Sequence, residues 1–192
     1  MPQLLTSYPI IALLYHVGRD VDPVMRRVAD ELSSRGHSLA GFIQRDEGRP
    51  DRPRCDMILV DLAGGRSIRI SEDRGASARG CRLDTHELLQ AMSMAREAMT
   101  ARPDLLIVNK FGKSESEGGG FRDLIAEAVE QGVPCLVAVP WRNIDSWRRF
   151  AGGLAIEHRL EDLPTNCANL CHFIGLRSLE AFDDGVDAAI SP

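Results

Sequence analysis

The chain reads IIALLYHVGRDVDP over residues 10–23, and the order of residue types there decides the fold. Ile10–Tyr15 is an unbroken apolar run of strand length, which predicts a strand buried on both faces. Residues 16–21 read as a loop. Asp22 predicts a helix cap with Pro23 at the first helical position, where the missing N–H costs nothing. Met25, Val28, Ala29 and Leu32 recur at helical spacing, and Gly36 ends the helix. Residues 39–44 return as a second strand.

The same alternation continues down the chain. Residues 57–62 and 67–71 read as a hairpin turning at Gly64-Gly65. Asp84 with Glu87 forms a capping box ahead of a helix carrying Leu88, Met92, Ala95 and Met99. Residues 105–109 form a further apolar strand, followed by a loop over 110–120 rich in Gly, Ser and charge. A helix is expected over 121–131, a strand over 135–139, a short helix over 144–150, an edge strand over 154–156 and a last helix over 164–173. Apolar strands alternating with amphipathic helices predict an α/β fold, a mostly parallel sheet with helices on both faces and the hairpin as an antiparallel addition. The ligand-binding edge of such a sheet is the carboxyl end of its strands.

The totals bound the function. A chain of 192 residues, 44% hydrophobic and 27% charged, suits one soluble domain. Residues 1–175 are expected to form it, with 176–192 an acidic tail of weak pattern. A formal net charge of -5 argues against a general nucleic-acid partner. The longest apolar run is too short to span a bilayer, and the first residues lack the pattern of a signal peptide, so no membrane association and a cytoplasmic location are the expectation. Five cysteines, an odd number, argue against a disulfide framework.

The order of segments resembles the thermophilic-type nucleoside triphosphatases, small P-loop proteins. Ala40-Gly41-Phe42 matches their "GGF" strand, Asn109 to Glu115 stands where they carry Asp-Glu-Ile-Gly and Lys-x-Glu, and Phe121 opens the matching helix. A closer resemblance is to a bacterial family of unknown function related to them. Its motifs are matched by Asp73-Arg74-Gly75, by ARGCRLD at residues 78–84 and by DLLIVNKFGKSESEGGGFR at residues 104–122. The resemblance implies a three-layer P-loop NTPase-like fold and a neighbourhood of molybdenum-transport or nitrogenase-regulation genes.

Set against a working phosphate loop, G-x-x-x-x-G-K-[ST], residues 16–23 hold one glycine, no lysine and no hydroxyl. Asp20 and Asp22 stand where a phosphate meets the helix N-terminus, and carboxylates there repel a polyphosphate. Asn109 and Lys110 replace the acidic pair that holds Mg²⁺ and orients water. Glu115 and Glu117 are the nearby carboxylates left to rescue hydrolysis.

What remains is cationic. Arg66, Arg69, Arg74, Arg79 and Arg82 follow in one stretch, and Lys110, Lys113 and Arg122 come from the other motif. Arginine forks, lysine and free amides bind small oxyanions. The expected ligand-binding set is therefore Arg74, Arg79, Cys81, Arg82, Asn109, Lys110, Arg122 and the backbone of Gly118, Gly119 and Gly120, with a phosphate, sulfate or molybdate type of ligand, no cofactor and no metal. The other reading of the arginines is a solvated surface, and of Cys81 a small buried thiol rather than a thiolate. Cys167, Cys171 and His172 read as a helical core stripe or as part of a metal site, which needs further converging ligands. Trp141 stands where it can close a ligand cleft, and Trp147 reads as core. Two rivals stand beside the binding protein: a residual nucleoside triphosphatase or kinase using Glu115 or Glu117, and an interaction module, a homo-oligomer or one with a regulatory protein partner.

Overall fold

The structure is a computed structural model. It describes residues 4–16, 18–48, 55–72, 83–164 and 170–178. Its strands are β1 (Leu4–Leu5), β2 (Ile10–Tyr15), β3 (Leu39–Glu47), β4 (Asp56–Asp61), β5 (Ser67–Arg69), β6 (Leu105–Val108), β7 (Cys135–Pro140), β8 (Ala155–Arg159) and β9 (Arg177–Ser178). Its helices are α1 (Asp22–Ser34), α2 (Thr85–Met99), α3 (Lys113–Ser116), α4 (Arg122–Glu130), α5 (Ile144–Ala151) and α6 (Leu170–Phe173).

Among the described residues, seven strands make one sheet in the order β5-β4-β3-β6-β7-β2-β8. From β3 to β8 all pairings are parallel, while β4 and β5 join antiparallel at one edge. Strand residues alternate between two apolar layers. Ala12, Leu14, Leu106, Val108, Val137 and Val139 face the side covered by α2, α4 and α5. Ile11, Leu13, Leu105, Ile107, Leu136 and Ala138 face α1 and α6. A strand covered on both sides has no polar face to show, which is why these segments are continuous apolar runs.

Two features fix the hairpin end. The Asp61 carboxylate accepts the Ala63 and Gly64 amides at 3.2 and 2.8 Å, and Gly65 takes φ +71°. In β3, Gly41 sits at φ +95°, and a Cβ there would collide with the Ile107 carbonyl. The close approach of β3 to β6 therefore requires glycine.

The sequence-based boundaries shift in places. Asp22 is the first helical residue rather than the cap. The Asp20 Oδ1 accepts the Asp22 amide at 3.0 Å, and the Asp22 side chain is drawn elsewhere. Strand β3 runs three residues beyond the expected 44, because β4 pairs with its extension. The edge strand lies at 155–159, parallel to β2. The expected loop over 110–120 contains α3. The folded part reaches Ser178, since Leu176 is buried and β9 pairs with β1. The expected tail from 179 onward lies outside the described residues.

Candidate functional site

Strand β2 ends at Tyr15 and β6 at Val108, with β7 between them in the sheet. The loop after β2 carries Asp20 and delivers Asp22 to the start of α1. The turn after β6 carries Asn109 and Lys110. These segments meet. Asn109 Nδ2 donates to Asp22 Oδ1 at 2.9 Å, bridging 87 positions of sequence. Asn109 is buried, and its Oδ1 has no hydrogen-bond partner among the described residues. Beside this bond lies a cavity of about 250 Å³ lined by Tyr15, Gly18, Arg19, Asp20, Val21, Asp22, Gln44, Asp46 and Lys110.

Three carboxylates, the Arg19 guanidinium and the Lys110 ammonium set the electrostatics of this cavity. Burial, opposed by the Asn109 hydrogen bond, raises the Asp22 carboxyl above the usual range; Asp20 and Asp46 push the same way and Lys110 against. Burial and the Asp22 charge push the Tyr15 phenol up to about 12, so it stays protonated. A polyphosphate entering here meets like charge at the helix end where its phosphates would need donors. Pro23 offers no N–H.

The glycine-rich turn is closed on itself. The Gly118 amide donates to the Glu115 carbonyl and the Gly119 amide to the Ser114 carbonyl, at 3.2 and 2.8 Å. Glu115 is buried, and its two carboxylate oxygens accept the Gly112 and Phe121 amides at 2.8 and 3.0 Å. A side chain at Gly120 would collide with that carboxylate. Glu117 lies 3.7 Å from Lys113 on the surface. Neither glutamate lines the Asp22 cavity.

The cations expected to converge occupy three places. Lys110 lines the acidic cavity. The Arg122 guanidinium lies 4.8 Å from the centre of the Phe150 ring. Arg66 and Arg69 line a groove of about 700 Å³ between β5 and α2, together with Ser71, Glu72, Asp84 and Glu87, and Arg69 Nη1 lies 3.9 Å from Asp56 Oδ2. Arg74, Arg79, Cys81, Arg82 and Cys167 lie outside the described residues. Trp147 is in the core, as its helical position suggested. Cys135 and Cys171 are buried with thiols pushed up to about 12 by burial, and Cys55 is exposed. No group of three or more His, Cys, Asp or Glu suited to a metal ion occurs among the described residues. One contact had no signal in the sequence: the His16 ring stacks on Trp141 with centroids 5.0 Å apart. The partners come from the ends of β2 and β7, neighbours only in the folded sheet.

Residues 10–164 match the family described as "protein of unknown function (DUF2478)". The chain belongs to the DUF2478 family. This DUF2478 chain is also 34% identical, over 145 residues, to the molybdenum import ATP-binding protein ModC 2 of Bradyrhizobium diazoefficiens. That match covers 76% of this chain and 16% of the relative's length. Its backbone is similar to the crystal structure of THEP1 from the hyperthermophile Aquifex aeolicus. The TM-score is 0.54 at 20% identity, over 80% of this chain and 91% of that one. The fold of this chain is thus three-layer α/β and P-loop NTPase-like. No helix among the described residues is long and apolar enough to cross a membrane.

Proposed function

We propose that this chain is a non-hydrolysing ligand-binding or regulatory domain on a P-loop NTPase-like scaffold, cytoplasmic, whose ligand is a small oxyanion of the phosphate, sulfate or molybdate type. The observation that carries the first part is the hydrogen bond from Asn109 to Asp22. In a working phosphate loop, the helix end supplies positive character and the facing strand supplies a carboxylate for Mg²⁺. Here the carboxylate sits on the helix and an amide faces it. Of the two carboxylates that remained as bases, Glu115 is bound to two backbone amides and Glu117 lies on the surface 3.7 Å from Lys113, which disfavours the residual triphosphatase or kinase reading.

Support for the oxyanion is the run of arginines. Arg66 and Arg69 border an open groove, and Arg74, Arg79 and Arg82 follow them in sequence. Guanidinium forks match tetrahedral oxyanions. A relative named for molybdenum import makes molybdate the first ligand to try. Gly118 and Gly119 spend their amides inside their own turn, so the arginines carry this reading.

The test is thermal melting of the purified chain with molybdate, tungstate, sulfate and phosphate, and with ATP and GTP with and without magnesium. A ligand that binds the folded state raises the midpoint by mass action. The expected result is a selective rise with one oxyanion that Arg66→Gln with Arg69→Gln reduces. A magnesium-dependent rise with a triphosphate, accompanied by phosphate release, refutes the non-hydrolysing reading.

A further inference from the structure

The paths of the chain mark one crevice in the sheet. From β2 the chain turns into α1 on one face; from β7, its neighbour, it turns into α5 on the opposite face. The chain therefore parts between the carboxyl ends of β2 and β7, and open α/β sheets bind ligands at such points. The residues that follow these strands, His16 and Trp141, stack across the gap at an interplanar angle of 28°. On the other side of β2, Arg159 ends β8 and holds its guanidinium 5.6 Å from the Trp141 ring. Arg142, the next residue in the chain after Trp141, is exposed.

We propose that this crevice binds a small planar heteroaromatic ligand bearing at most one phosphate-sized anionic group, with Trp141 as the stacking surface and Arg159 as the counter-charge. Trp141 is only partly buried, unlike Trp147, so the indole is reachable. An aromatic face stacks on any planar π system, and indole is the best such face in proteins. Arg159 is exposed and sits near the outer limit of a cation–π contact. Its planar guanidinium marks a ring face that accepts a flat group. A ligand takes that place, and the arginine turns to the ligand's anion.

The acidic cavity sets the upper limit on charge. Asp20, Asp22 and Asp46 lie on the α1 side of the same edge and outnumber the Arg19 and Lys110 cations beside them, so the cavity disfavours each added phosphate. This is selection by a repulsive element. A formal net charge of -5 weighs against a nucleic-acid strand as the occupant. The residues concerned are separate from the arginines of the oxyanion reading, so the two proposals fail independently.

The experiment is calorimetric titration of the whole chain with adenosine, guanosine, AMP and GMP without magnesium, with tryptophan emission followed in parallel. Saturable binding of at least one purine probe with quenching is expected, tighter for the monophosphate than for its nucleoside. Trp141→Ala is expected to weaken binding about 5- to 150-fold, the factor given by a stacking energy of roughly 1–3 kcal/mol. Trp141→Phe keeps a smaller ring and loses less, which covers the case of an Ala variant that fails to fold. Arg159→Gln removes the preference for the monophosphate and leaves nucleoside affinity in place. No saturable binding of any of the four probes overturns the proposal, as does affinity unchanged in both Trp141 variants. Tightest binding of ATP with magnesium, or of a single-stranded oligonucleotide over all four probes, overturns the ligand class.

Discussion

Asp22 is half-buried beside two other carboxylates, and Asn109 donates a side-chain hydrogen bond to it. Its carboxyl pKa is raised in the fold, chiefly by burial. A raised folded value means the folded state binds the proton more tightly than the unfolded one. Its contribution to stability is thus greatest below the unfolded pKa and is lost as pH rises through the folded pKa. Asp22→Asn removes the buried charge and keeps an oxygen for Asn109. The variant is expected to be more stable than the parent at neutral pH, with the difference shrinking as pH falls to about 4, near the ordinary carboxylate value. Urea midpoints across pH 4–8 read this; a difference independent of pH would contradict it. Glu115 is a second residue whose role is set by its neighbours. It ties both ends of the glycine-rich turn through the Gly112 and Phe121 amides. Glu115→Gln turns one acceptor toward an N–H with a donor, and a loss of about 1–3 kcal/mol is expected by urea denaturation. A variant of unchanged stability would return Glu115 to the list of chemical candidates.

At the scale of elements, the helices follow their apolar spacing and their caps follow local chemistry unless a distant partner competes. Helix α2 is the simple case. The Asp84 carboxylate accepts the His86 and Glu87 amides at 3.0 and 3.2 Å, as its position ahead of an apolar stripe suggested. The Asp84 amide, however, donates to the Ile70 carbonyl at 2.8 Å, so the reciprocal Glu87 half of the expected capping box is taken by the residue after β5 instead. Asp84→Ala is expected to cost about 1 kcal/mol, measured by chemical denaturation. Helix α1 is the competing case. Its stripe of Met25, Val28, Ala29 and Leu32 is buried as spaced, yet the residue chosen as its cap became its first helical position. The local rule ranks Asp20 and Asp22 alike, and the difference between them is Asn109, contributed from beyond β6. Helix α3 is four residues long and lies in a stretch whose Gly, Ser and charge content predicts a loop. So short a helix has no periodicity to detect; the Glu115 contacts define it.

Across the whole molecule, the Asp22–Asn109 bond links the start of α1 to the end of β6. Asn109→Asp would restore an acid where the related nucleoside triphosphatases carry one, but would set it against Asp22. The variant is expected to lose roughly 1–3 kcal/mol of stability at neutral pH, equivalent to one or two pKa units of repulsion, and to recover it on acidification. Thermal melts at two pH values decide this. If magnesium stabilises Asn109→Asp selectively and phosphate release from ATP appears, the edge retains more of a nucleotide site than its carboxylates suggest.

The sequence by itself determined the α/β class, the two apolar layers, the hairpin and the residue types at 16–23 and 109–110, which spell neither G-x-x-x-x-G-K-[ST] nor an acidic pair. These are legible because strand and helix periods and turn chemistry are local, and because a missing lysine or hydroxyl is missing in any fold. Only the tertiary structure decided that Asn109 meets Asp22, that Glu115 closes the turn after α3, that Arg122 lies over Phe150 while Lys110 lines an acidic cavity, and that His16 and Trp141 face each other. Each of those outcomes depends on which strand ends become neighbours in the sheet. Strand order is fixed by long-range packing and crossover handedness, and neither leaves a mark in the spacing of residues along the chain.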